Sequence, residues 1–135
     1  MSHWPRNGAS VIVYSDGKVL LAKRGKEPFK GYWSLPGGSQ GAGETLEECA
    51  CRELLEETGL IAHSAEFVCV RDRINLNSAG ELTHHFVLAT YLVLEFTGEA
   101  SANDDAEEVR WFKLEAIPGL DMTPGTDKLI MDTVS

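Results

Sequence analysis

The sequence predicts an α/β sandwich built on a central mixed sheet, and three observations carry that expectation. β-branched and apolar runs recur along the chain, one capped helix interrupts them near the middle, and a second short helical stretch closes it. With 135 residues the chain is most simply one domain, residues 1–135. A chain of that length buries roughly two thirds of the surface it would expose when unfolded.

Ala9 to Tyr14 is a β-branched run that ends at the turn signal Ser15-Asp16-Gly17, and Lys18 to Arg24 follows, so the pair reads as a hairpin. Gly25 to Tyr32 reads as a loop, and Trp33 to Leu35 as a short strand delivered into Pro36-Gly37-Gly38. Three glycines between Gly38 and Gly43 make a poor helix and a good phosphate or metal loop. The helix begins after them. Thr45 with Glu48 is a capping box, Leu46, Ala50 and Leu54 form the stripe that packs on the sheet, and Gly59 is the stop, which bounds the helix at Thr45 and Thr58. Ala65 to Ile74 and Thr83 to Phe96 read as antiparallel strands joined by Asn75 to Glu81. Gly98 to Glu108 is an acidic loop, Val109 to Lys113 a strand, Leu114 to Ile117 a helical turn, and Asp127 to Met131 or slightly beyond a short terminal helix.

A net charge of −9 argues against a nucleic acid polymer as partner, because phosphate binding requires a basic face. An acidic protein binds a small polyphosphate when cations stand between carboxylate and phosphate. Met1 to Asn7 lacks the apolar core of a signal peptide, and Phe86 to Leu94 is about half the length a membrane helix needs. No membrane partner and a cytoplasmic location are expected. Cys49, Cys51 and Cys69 form no CxxC pair and read as free thiols.

The stretch that carries chemistry runs from Gly37 to Leu60. Glu53, Glu56 and Glu57 stand at i, i+3 and i+4 of the helix and share a face, where Glu53 and Glu57 repel by a few tenths of a kcal/mol. A hard divalent cation turns that repulsion into attraction. Taken alone, an acidic helix face is ordinarily solvated; the glycine loop in front of it changes the balance.

Gly38, Glu44, Arg52, Glu53, Leu54, Glu56, Glu57, Gly59 and Leu60 fill every fixed position of the pattern GX5EX7REUXEEXGU, with U aliphatic. In this the chain resembles the Nudix hydrolases, and the segments GYWSLPGG and VRWFKLEAI look like common context of that family. One position departs from it: Gly41 stands where many members carry glutamate, which leaves the number of metal ions open.

The resemblance implies a Nudix-type α/β/α sandwich and a pyrophosphohydrolase that uses Mg²⁺ or Mn²⁺. It implies that Glu53, Glu56 and Glu57 hold the metal with the Gly38 carbonyl, that Glu44 joins directly or through water, and that Arg52 orients the glutamates. Glu53 or Glu57 is the first choice for the carboxylate that accepts the water's proton, and Glu99 the second. The substrate is a small nucleotide: a nucleoside diphosphate linked to another group, of ADP-ribose type, or a (deoxy)nucleoside triphosphate. Arg73 to Ser78 offers neither the proline nor the tyrosine that marks particular subfamilies, so the substrate stays open. The alternative is a sensor that binds a nucleotide without cleaving it; an isoprenoid diphosphate isomerase is a third option. Oligomeric state is open, a homodimer included.

Several residues carry two readings. Trp33, Trp111 and Phe112 read as core, with an aromatic between Phe29 and Trp33 as the alternative for stacking on a base. His84 and His85 alternate on a strand, so at most one faces a cleft. Asp104, Asp105, Glu107 and Glu108 read as solvated, with base or ligand as the alternative. Arg24, Arg71 and Arg73 read as surface charges or as contacts to phosphate or ribose.

Overall fold

The structure, a computed structural model, describes residues 4–135; Met1 to His3, the first part of the segment read above for a leader, lie outside the described residues. The elements in order are β1 (Arg6–Ser15), β2 (Lys18–Arg24), β3 (Trp33–Ser34), β4 (Gly37–Ser39), α1 (Leu46–Thr58), β5 (Ile61–Ala62), β6 (Glu66–Leu76), β7 (Leu82–Val93), β8 (Phe96–Thr97), β9 (Ala106–Lys113), a 3-10 turn (Leu114–Gly119) and α2 (Thr126–Val134). Seven strands form one sheet with the path β3-β2-β1-β7-β6, to which β4 adds on β1 and β9 on β2, while β5 and β8 pair separately. The sheet is mixed because β1 and β7 run parallel from Arg6↔Phe86 to Val13↔Val93, whereas β6 and β7 are antiparallel.

Apolar side chains alternate to both faces and bury two cores. Ala9, Val11, Val13 and Leu20 meet Cys49, Ala50 and Leu54 of α1 on one side. Ile12, Val19 and Leu21 meet Ile117 of the 3-10 turn and Ile130 of α2 on the other. The expected sandwich is the observed one. No helix among the described residues is long and apolar enough to cross a membrane.

The expected hairpin is real only at its tip. β1 and β2 pair at Tyr14↔Val19 and Ser15↔Lys18 and then part. The start of β1 pairs instead with β4, Gly8↔Ser39 through Ser10↔Gly37, and Val11 N–H donates to the Pro36 carbonyl at 2.9 Å. The chain from Trp33 to Ser39 thus bridges the gap, paired with β2 at one end and β1 at the other. This corrects the expectation of a loop from Gly38: Gly37 to Ser39 is a strand, made possible because a Cβ on Gly37 would stand 2.2 Å from the Ala9 carbonyl oxygen and glycine has none.

Helix α1 has its expected bounds. Thr45 Oγ1 accepts from Glu48 N–H at 3.0 Å, Glu48 Oε1 accepts from Thr45 N–H at 2.8 Å, and Gly59 at φ 80° donates to the Leu55 carbonyl. Beyond it two strands extend past their expected ends: β6 reaches Leu76, and β9 begins at Ala106, taking Glu107 and Glu108 out of the acidic loop, whereas the strand expected to run to Phe96 ends at Val93, because Phe96 pairs with β5 as β8. The remaining loop folds onto the end of α1, where Ser101 N–H donates to the Thr58 carbonyl and Asn103 N–H to the Glu57 carbonyl, both at 2.9 Å. Those bonds satisfy helix carbonyls that have no partner within the helix.

Leu54 is fully buried between α1 and the sheet, next in sequence to Glu53. Leu54→Ala is expected to lower the unfolding free energy by about 2–5 kcal/mol, measured by urea denaturation. A loss below about 1 kcal/mol would mean that the helix is not anchored there.

Candidate active site

The splay of β1 from β2 sets Gly37 and Gly38 against the acidic face of α1. Gly37 N–H donates to Glu57 Oε2 at 3.2 Å. A Cβ on Gly38 would fall 2.5 Å from the Glu53 carboxyl carbon, so only glycine lets that carboxylate lie against the strand. The expected ligand carbonyl of Gly38 receives the Cys49 thiol at 3.6 Å.

Arg52 organises the remaining acids. Its Nε donates to Glu44 Oε2 at 2.9 Å, Nη2 to Glu44 Oε1 at 2.6 Å and to the Ser39 carbonyl at 2.9 Å, and Nη1 to both Glu53 Oε1 and Glu56 Oε2 at 2.9 Å. Glu44 also accepts from Gly41 N–H at 2.7 Å, so here it braces the loop. Hydrogen bonds from Arg52 hold the Glu44 carboxyl down at about 2. Glu56 is the most exposed of the three helix glutamates and pairs with Arg52.

Glu53 and Glu57 differ from Glu44. Burial pushes Glu53 up, against the pull of Arg52. Burial pushes Glu57 up to about 8, and repulsion from Glu53, Asp104 and Asp105 adds to it, opposed by the single Gly37 hydrogen bond. Asp104 and Asp105 reach this position because their loop caps α1, and they line the cleft with Glu53 and Glu57. Glu99, the second choice for proton acceptor, does not line it.

The cleft has a volume of about 550 Å³ and is lined both by these acids and by residues of β6 and β7. Arg24, Arg71, Arg73, His84 and Phe86 line it. His84 faces the cleft, while His85 on the opposite face of the strand pairs with Asp72 at 2.9 Å. No aromatic of the Phe29–Trp33 segment lines the cleft: Trp33 packs edge-on against Phe112 in the core, centroids 4.9 Å apart, and Phe29 against Tyr32. The aromatics of the cleft are Trp4 and Phe86, edge to face at 5.4 Å. Neither Trp4 nor the lining residues Thr123 and Thr126 carried a signal in sequence.

Among the described residues no three metal-binding side chains converge into a closed cage. The donors nevertheless suit a hard cation. They are all oxygen, and Glu57 is withdrawn from water beside three further carboxylates, a surplus of negative charge that a cation would relieve. Mg²⁺ favours an open set of this kind, because it keeps waters and phosphate oxygens among its ligands.

An α/β/α sandwich that presents helix glutamates to a glycine strand at the head of a cleft defines a class, the Nudix hydrolases. The sequence comparison agrees: the NUDIX domain profile matches residues 4–133, and the chain belongs to the Nudix family. It is 38% identical over 116 residues to the ADP-ribose pyrophosphatase of Methanocaldococcus jannaschii, covering 86% of this chain and 66% of that protein, so it spans just under two thirds of that relative's length. It is 29% identical over 122 residues to the nucleoside triphosphatase NudI of an Enterobacter species, covering 85% of this chain and 86% of that one. The fold matches the crystal structure of the MutT NUDIX hydrolase from Burkholderia pseudomallei with a TM-score of 0.86 and 34% identity, over 98% of this chain and 100% of that one.

Raising a carboxyl from the ordinary 4.5 to about 8 on folding makes the metal-free protein lose stability as pH rises between those values, because the unfolded chain ionises first. Urea denaturation in EDTA should show this fall from pH 5 to pH 8, and Glu57→Gln should reduce it. Equal pH slopes in the two proteins would contradict the burial of Glu57.

Proposed function

We propose that the chain is a Mg²⁺-dependent pyrophosphohydrolase, with Mn²⁺ as a substitute, which cleaves the diphosphate bond of a nucleoside diphosphate derivative of ADP-ribose type or of a (deoxy)nucleoside triphosphate. The observation that supports this most is the pairing of Glu53 and Glu57 with Gly37–Gly38 at the acidic end of a cleft whose other end is basic. Glu53, Glu56 and Glu57 would hold the cation with the Gly38 carbonyl. When bound, it supplies neutralisation of the diphosphate and a lower pKa for water.

The residues divide the remaining work. Arg52 keeps Glu53 and Glu56 at fixed positions, and Glu44 keeps Arg52 in place. Glu57 is the helix glutamate that Arg52 does not engage, and we assign it the proton of the attacking water. Arg24, set near Glu57 and anchored through Nε to the Pro28 carbonyl at 2.6 Å, meets the phosphates. The name of the 38%-identical relative makes ADP-ribose the first substrate to try. The three free cysteines suit a reducing compartment such as the cytoplasm.

The test is a panel of ADP-ribose, NADH, dinucleoside polyphosphates, nucleotide sugars and (deoxy)nucleoside triphosphates with Mg²⁺, followed by release of phosphate-containing products. At least one should be hydrolysed, and EDTA should abolish the activity. With that substrate, Glu57→Gln should lower kcat by about 10²–10⁴-fold while the protein stays folded. Nucleotide binding without turnover across the panel would overturn the hydrolase in favour of a sensor.

A further inference from the structure

Arg71 and Arg73 stand two residues apart on β6, so they project from one face of the strand, and both line the cleft with Arg24. Leu88 and Phe86 are their partners in register on β7. The Nε of each arginine is buried without a hydrogen-bond acceptor. Neither enters an ion pair among the described residues.

Both guanidinium groups are nevertheless placed by packing. Arg73 lies over the Phe86 ring, Cζ 5.5 Å from its centroid. Arg71 reaches the start of α2, its Nη1 3.2 Å from where a Cβ on Gly125 would stand. Burial and then repulsion from Arg24 and Arg71 push Arg73 down to about 10, and no carboxylate offsets them.

A buried donor without an acceptor is destabilising, and a buried charge without a counter-charge is more so. A neutral acceptor, such as the edge of a base, would satisfy the Nε groups and leave the repulsion among the arginines. An anion satisfies both. We propose that Arg71 and Arg73, flanked by Arg24, form an anion subsite that receives a phosphate group of the substrate other than the diphosphate that is cleaved. Arg24 lies between the two ends, close enough to feel Glu57 and Asp105 and to be felt by Arg73. The substrate class narrows accordingly, to nucleotides with a further phosphate, either terminal on the chain or as a monoester on a sugar. That assignment to a substrate rests on the hydrolase proposed above; the existence of the subsite does not.

Two measurements separate these points. The first titrates inorganic phosphate calorimetrically into the metal-free protein in EDTA, where no cation can hold phosphate at the acidic end. Wild type and Glu57→Gln should bind it. The double variant Arg71→Gln/Arg73→Gln should bind at least about tenfold more weakly, since each charge-assisted hydrogen bond lost is worth about that factor. Without phosphate this variant should melt no lower than wild type, because it loses two half-buried charges that have no counter-charge. Arg71→Lys/Arg73→Lys keeps the charge and should keep part of the binding. The second compares kcat/KM for ADP-ribose 2′-phosphate against ADP-ribose, and for ATP against ADP. One pair should show a preference of about tenfold or more for the extra phosphate, which identifies its source, and the double Gln variant should lose it. Absence of phosphate binding in wild type, or equal binding in the double Gln variant, overturns the subsite. Intact phosphate binding with no turnover of any nucleotide overturns only the hydrolase.

Discussion

Five hydrogen bonds from one guanidinium to oxygen acceptors hold the site together. Arg52 joins Glu44 of the loop, the Ser39 carbonyl of β4, and Glu53 and Glu56 of α1, and so ties three segments to one side chain. Without it, acids at 53 and 56 would repel each other and the Glu44 carboxylate would keep only the Gly41 N–H. The planar fork of arginine is suited to the task, since lysine offers a point charge and could not reach four acceptors in fixed directions. Glu57 lies outside this network, and that exclusion leaves it withdrawn from water beside other acids.

How much of this was legible in sequence depended on how local the cause was. The bounds of α1 follow from Thr45, Glu48 and Gly59, residues that act within a turn of themselves, and they were readable. The box spacing placed Glu53, Glu56, Glu57 and Arg52 on neighbouring positions of one helix for the same reason. The parting of β1 and β2 was not readable, because it depends on the competing claims of β4 and β7 for the start of β1, some thirty and eighty residues away in sequence as the pairs Ala9↔Gly38 and Ala9↔Ala89 show. Asp104 and Asp105 looked like solvated loop acids. Their place in the cleft follows from backbone N–H groups of their loop that cap α1, a bond pattern with no side-chain signature.

The fold has given the cleft a gradient of charge that the net charge of −9 conceals. At one end the helix glutamates and the loop aspartates accumulate; at the other, alternate residues of β6 turn Arg71 and Arg73 inward while Val70, Asp72 and Ile74 face out. Strand alternation alone decides which residues go in, so a shift of one residue in the pairing of β6 with β7 would put the arginines outside and the apolar residues in the cleft. The register between Val70↔Ala89 and Arg73↔Phe86 is therefore as much a part of the site as the box.

Such a gradient is unfavourable to the folded chain at both ends. Glu57 prefers a proton to its acidic neighbours, and Arg73 sits beside two other guanidinium groups with no acid among the groups that act on it. Neither end serves the stability of the core, which closes without them around Ile12, Leu21, Leu54 and Ile130. Moving the two ends together would let the carboxylates and guanidinium groups neutralise each other, and the site would then have nothing left to offer a ligand. Holding them apart across the cleft keeps the carboxylates and the guanidinium groups from cancelling one another.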